Sequence, residues 1–137
     1  MTTPRQPNRV SVKWQGAHRF EAGRPGGPTI RIDADNATAP GPVDTLLSAL
    51  ASCTAVDVVD ILAKRRTPVE SLEIEVVGRR VDGVPRRLEH VTLHYRIAGA
   101  GIEREHAERA VELAVTKYCS VRDSLDPAIP VEWTVDV

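Results

Sequence analysis

Cysteine is scarce in this chain, with two among 137 residues, at positions 53 and 119. Two thiols so far apart do not make the disulfide framework of a small secreted protein, and a reducing cytosol keeps such groups as thiols. A bond between them would therefore be redox-active before it was structural. A surplus of charge is also lacking: 18 Lys and Arg stand against 19 Asp and Glu. No global field recruits nucleic acid or an anionic membrane, so neither is expected as a partner. No uninterrupted apolar run approaches the ~20 residues of a membrane span. The opening "MTTPRQPNRV" has no apolar core of a secretory signal, which makes a cytoplasmic location the default expectation.

Other signatures are missing as well. There is no internal repeat, low-complexity tract, phosphate-binding loop, G-x-S-x-G elbow or dinucleotide fingerprint. The four histidines, His18, His90, His94 and His106, are scattered, and only His90 and His94 share a strand face. Neither has a cysteine or carboxylate at ligand spacing, so no metal is expected.

What is present reads as one α+β domain over residues 1–137, long enough to bury one core. Val10, Val12 and Trp14 alternate with polar residues as a strand. A second strand follows at His18 to Ala22, then a tight turn at "GRPGG" and a third strand through Ile30 and Ile32. The connector "DADNATAPGP" reads as a loop leading into a helix. Pro42 suits the first turn of that helix, and Asp44 complements its dipole. From Thr45 to about Arg65 no Gly or Pro interrupts it. Its apolar residues run most of the way round, so it should be a central helix covered on several sides or by a second subunit.

Beyond it, Leu72, Ile74 and Val76 pair across a turn at Asp82-Gly83 with Val91, Leu93, Tyr95 and Ile97. An amphipathic second helix ends near Cys119. Ser120 and Asp123 have the spacing of a capping box, which predicts a short helix through Leu125. Ile129, Val131, Trp133 and Val135 alternate as a closing strand.

Two residues attract chemical attention. Cys53 shares a face of the long helix with Asp57, Asp60 and Lys64. Nearby carboxylates oppose ionisation of a thiol, so a reactive Cys53 requires a compensating cation from another element, most plainly an arginine. Cys119 lies between two helices, close to the predicted N-cap at Ser120 and to Lys117, where N–H groups and positive charge favour a thiolate. For both cysteines the alternative is a small buried hydrophobe.

"GPVDTLLSALASCTAVDVVDIL" at 41–62 and "KYCSVRDSL" at 117–125 closely resemble the two cysteine motifs of the OsmC/Ohr family, in particular its YhfA-like branch. "VSVKW", "PRRLEHVTLHYRI" and "AERAVELAVTKYCSV" extend the likeness in the right order. The resemblance implies an OsmC-like α+β fold that forms an intertwined homodimer around the cysteine-bearing helices. It also implies a thiol-dependent peroxidase acting on organic hydroperoxides. Cys53 would be the peroxidatic residue and Cys119 the resolving one, with an external dithiol as reductant and no cofactor. In the peroxidase branches an acidic residue ahead of the cysteine helix holds an arginine that stabilises the thiolate. Asp44 stands nearest that place here. Gln15 stands where the arginine would be sought, which leaves Arg19 and Arg24 as the arginines the first hairpin offers. A member of the same fold that binds a small apolar or electrophilic ligand in the dimer cleft is the alternative function.

Overall fold

The computed structural model describes residues 5–137, so the first four residues of the N-terminal stretch considered above lie outside it. The chain divides within the first turns of its long helix into two compact units, residues 1–46 and 47–137.

The first unit is a three-stranded antiparallel sheet in sequence order, β1 (Ser11–Trp14), β2 (Arg19–Gly23) and β3 (Thr29–Asp33). Register places Val12 beside Ala22 and Ala22 beside Ile30, with Trp14, Phe20 and Ile32 as the next row on the same face. The β1–β2 turn needs left-handed backbone at Gly16 (φ +94) and Ala17 (φ 49), and the Trp14 indole N–H donates to Ala17 O at 2.7 Å across it. After β3 the loop is not slack. Asp33 is buried and its carboxylate accepts from Asp35 N, Thr38 N and Thr38 Oγ1, all within 2.9 Å. Three donors on one carboxylate favour its charged form and hold it down at about 2.

Helix α1 (Pro42–Lys64) starts on that loop. Asp44 Oδ2 accepts from Gly41 N at 3.2 Å, the reach-back half of a capping box, and Thr45 Oγ1 donates to Gly41 O at 2.7 Å. By length and composition α1 could cross a bilayer. Its Leu50, Ala51, Thr54, Val58 and Leu62 instead form one buried stripe, the packing of a core helix. Each large side chain of that stripe contributes roughly 1.5–3 kcal/mol by burial. Val56 and Val59, on another side, stay exposed. The coverage expected on several sides is thus supplied within the chain on one.

The second unit pairs β4 (Ser71–Arg80) antiparallel with β5 (Leu88–Ala98), and β5 parallel with the closing strand β6 (Val131–Asp136). β5 is the central strand, and Leu88, Val91, Leu93, Tyr95 and Ile97 are its buried residues. A parallel neighbour requires a crossover. It is made by α2 (Arg104–Leu113), a π-helical turn at Ala114–Tyr118, and α3 (Ser120–Asp123). The amphipathic segment expected as one helix to Cys119 therefore changes pitch halfway. Its apolar positions still face inward, with Ala107, Ala110, Val111, Ala114 and Val115 all buried.

Candidate functional site

The site builds on α1, β5 and the crossover. Cys53 sits half-buried one residue from the fully buried Thr54. The threonine hydroxyl donates to Ala51 O at 2.8 Å, and Tyr95 of β5 stands 2.7 Å from the same oxygen. A hydroxyl has one proton, so Tyr95 O–H must be the donor to Thr54 Oγ1. This bond ties the cysteine-bearing helix to the central strand.

Cys119 reaches the same place from the crossover. The π turn inserts an extra residue, so that Cys119 N bonds Ala114 O, five residues back, at 2.9 Å. Cys119 is 4% exposed, and its thiol lies close enough to Cys53 to be pushed up by it. It also lies close enough to Tyr95 that a charge on its sulfur would be felt there. The two cysteines predicted to act together are thus brought together, each as a free thiol.

The N-cap of α3 differs from the expected one. Cys119, not Ser120, occupies that position, and its Sγ accepts the Arg122 backbone N–H at 3.2 Å. The Ser120–Asp123 spacing mimics a box because the true cap is the residue before it. The short helix also ends earlier than expected, at Asp123.

Opposed forces act on the Cys119 sulfur. Burial pushes the thiol above its ordinary value, the Arg122 N–H pulls it down, and the neighbouring Cys53 sulfur pushes it up again. Tyr95 is pushed up to about 12, chiefly by burial, with the Thr54 bond opposing and the Cys119 sulfur adding to the rise. Both groups are therefore neutral at physiological pH while the thiols are free.

The supporting residues named from the sequence lie in the first unit. Asp44 bonds the start of α1 as described. Arg19 opens β2, with its backbone closing the hairpin turn through Gly16 O and Gln15 N. Arg24 is exposed in the β2–β3 turn, where its carbonyl accepts from Gly27 N at 2.9 Å. His90 and His94 stand beside β6, at 3.3 Å from Glu132 and 3.1 Å from Asp136, and His94 also meets the Thr134 hydroxyl. Among the described residues no three His, Cys, Asp or Glu side chains gather as a metal site would.

Thr54 and Tyr95 were not singled out from the sequence, although a signal was present. A tyrosine in the apolar phase of a strand and a threonine beside a cysteine in an apolar helix each need a buried partner.

Residues 34–134 match the family model described as OsmC-like protein. The chain is 33% identical over 127 residues to Protein YhfA of Escherichia coli, covering 92% of this chain and 95% of that one. A hypothetical protein from Aquifex aeolicus superposes with a TM-score of 0.82 at 27% identity, over 96% of this chain and 98% of the other. An organic hydroperoxide resistance protein from Legionella pneumophila shares the fold, with a TM-score of 0.71 at 16% identity over 97% of this chain and all of the other.

Proposed function

Because the chain belongs to the OsmC-like family, we propose that it is a thiol-dependent peroxidase that reduces organic hydroperoxides through Cys53 and Cys119. The observation that carries this reading is the proximity of the two thiols: one half-buried on α1, the other buried and close enough to be pushed up by it. The hydroperoxide resistance named for the Legionella relative of the same fold points the same way.

The Cys53 thiolate attacks the outer peroxide oxygen, the O–O bond breaks, and the alkoxide leaves and takes up a proton as the alcohol. Cys53 is then a sulfenic acid. Cys119 attacks that sulfur, water departs with the hydroxyl, and the Cys53–Cys119 disulfide remains. An external dithiol returns both sulfurs to thiols by exchange and becomes a disulfide itself. The exchange needs no metal, haem or flavin. This reading expects a preference for an organic tail, because burying each CH₂ gains about 0.8 kcal/mol.

The active form in this reading is a cytoplasmic homodimer. Val12, Trp14 and Ile30 on the first sheet, and Val56 and Val59 on α1, are exposed apolar side chains of the kind a second subunit covers.

Turnover of cumene hydroperoxide and of hydrogen peroxide with an excess dithiol tests the proposal. Cumene hydroperoxide should react faster, and Cys53→Ser should abolish the reaction. Rates no better than those of free cysteine would overturn it.

A further inference from the structure

Cys119 has a second neighbour besides Cys53. It forms part of the wall of a cavity of about 400 Å3 that also carries Lys117, Arg122, Asp123, Leu125 and Trp133. Cys53 is not part of that wall. A molecule lodged in the cavity is therefore offered Cys119 and not Cys53.

The wall also has a sign. Lys117 and Arg122 stand against the single carboxylate of Asp123. The Arg122 guanidinium donates to two backbone carbonyls, Asp126 O at 3.1 Å and Ile129 O at 2.8 Å, which fix its plane and leave its charge intact. The Lys117 ammonium lies 5.4 Å from the centre of the Tyr118 ring, an orienting contact that likewise neutralises nothing. Leu125 and Trp133 add apolar surface to the same wall.

We propose that this cavity admits the reductant, and that the reductant is a small thiol bearing a carboxylate, which attacks Cys119 and not Cys53. The inference rests on the redox-pair reading above. In the oxidised protein the incoming thiolate forms a bond to Cys119 Sγ, the Cys53–Cys119 bond breaks, and the electron pair leaves on Cys53. A second thiol, from the same molecule or another, attacks the sulfur of the bound reductant. Cys119 then leaves as a thiolate facing the Arg122 N–H, which already bonds its sulfur at 3.2 Å. The reductant departs as a disulfide, having lost two electrons to the protein. Peroxide and reductant thus approach different sulfurs.

The test uses full-length protein oxidised with diamide, so that it does not depend on peroxidase activity. Reduction by 3-mercaptopropionate, 2-mercaptoethanol and cysteamine is followed by thiol appearance. Each rate is divided by the rate of the same thiol with a small linear disulfide, which removes intrinsic nucleophilicity. The anionic thiol should be favoured over the neutral one roughly three- to tenfold, and the cationic thiol disfavoured, as befits a partly exposed charge. Lys117→Glu should reverse the order, and Asp123→Asn should steepen it. Acid quenching early in the reaction, followed by alkylation and peptide mapping, should place the mixed disulfide on Cys119. A mixed disulfide on Cys53, or no response to thiol charge, overturns the proposal. Failure of diamide to link Cys53 with Cys119 overturns the redox pair and the proposal together. A disulfide that forms with diamide but not with peroxide removes only the peroxidase reading.

Discussion

The sulfur of Cys119 accepts the backbone N–H of Arg122 at 3.2 Å, so a cysteine caps the short helix that follows it. Position and chemistry are coupled through this bond. The π turn carries the chain round to Cys119, the cap holds its thiol, and the thiol then lies close enough to Cys53 to be pushed up by it.

The forces on Cys119 give a titration with a defined direction. Burial, the largest influence, and the Cys53 sulfur both raise the thiol, against the Arg122 N–H. Labelling with iodoacetamide across pH, read by peptide mapping, should give a Cys119 midpoint above that of free cysteine. Cys53→Ala should lower the midpoint without bringing it to the free value, because burial persists. In stability the sign is the same. A thiol whose folded-state value is raised contributes fully below its unfolded value, and the contribution is lost as pH rises toward the folded one.

The Thr54–Tyr95 bond predicts a non-additive pair. Thr54→Val leaves a buried tyrosine hydroxyl without its acceptor and should cost about 1–3 kcal/mol. Tyr95→Phe should cost about 1 kcal/mol by loss of the bond. The double variant should be less destabilised than the sum, since neither polar group is then stranded. Urea denaturation of the four proteins measures the coupling. An additive result would show that the hydroxyls act independently.

Asp33 should make the loop before α1 acid-sensitive. Its three donors hold the carboxyl at about 2, so the stability it adds is present above the ordinary aspartate value near 4 and fades as pH falls to about 2. Asp33→Asn should be less stable than the natural protein at pH 6, and the difference should shrink steadily between pH 4 and 2. Denaturant midpoints for both proteins across that range provide the check.

The strands and α1 were legible because alternation and uninterrupted apolar helix sequence are local signals. Val12 and Trp14, Leu72 through Val76, and the run from Pro42 to Lys64 each announce their element. The approach of Cys53 and Cys119 followed from family resemblance and not from periodicity, since contact between distant segments leaves no local trace. The π turn was illegible for a similar reason. Ala114–Tyr118 continues the helical pattern of α2, and one added residue per turn is set by how the crossover must deliver Cys119 to the core. The cap was misplaced by one residue because serine is the commoner capping side chain and cysteine a weak acceptor. β6 reads as a strand in the sequence, but its parallel pairing with β5 is a property of the crossover.

The most direct test of the central claim is to treat the fully reduced protein with one equivalent of cumene hydroperoxide, quench with acid, and map the peptides without reduction. The account predicts loss of two thiols per chain, a Cys53–Cys119 linkage, and a Cys53 sulfenic acid that persists when Cys119 is replaced by serine. Retention of both thiols, or oxidation of Cys119 in a Cys53→Ser protein at an unchanged rate, would contradict it.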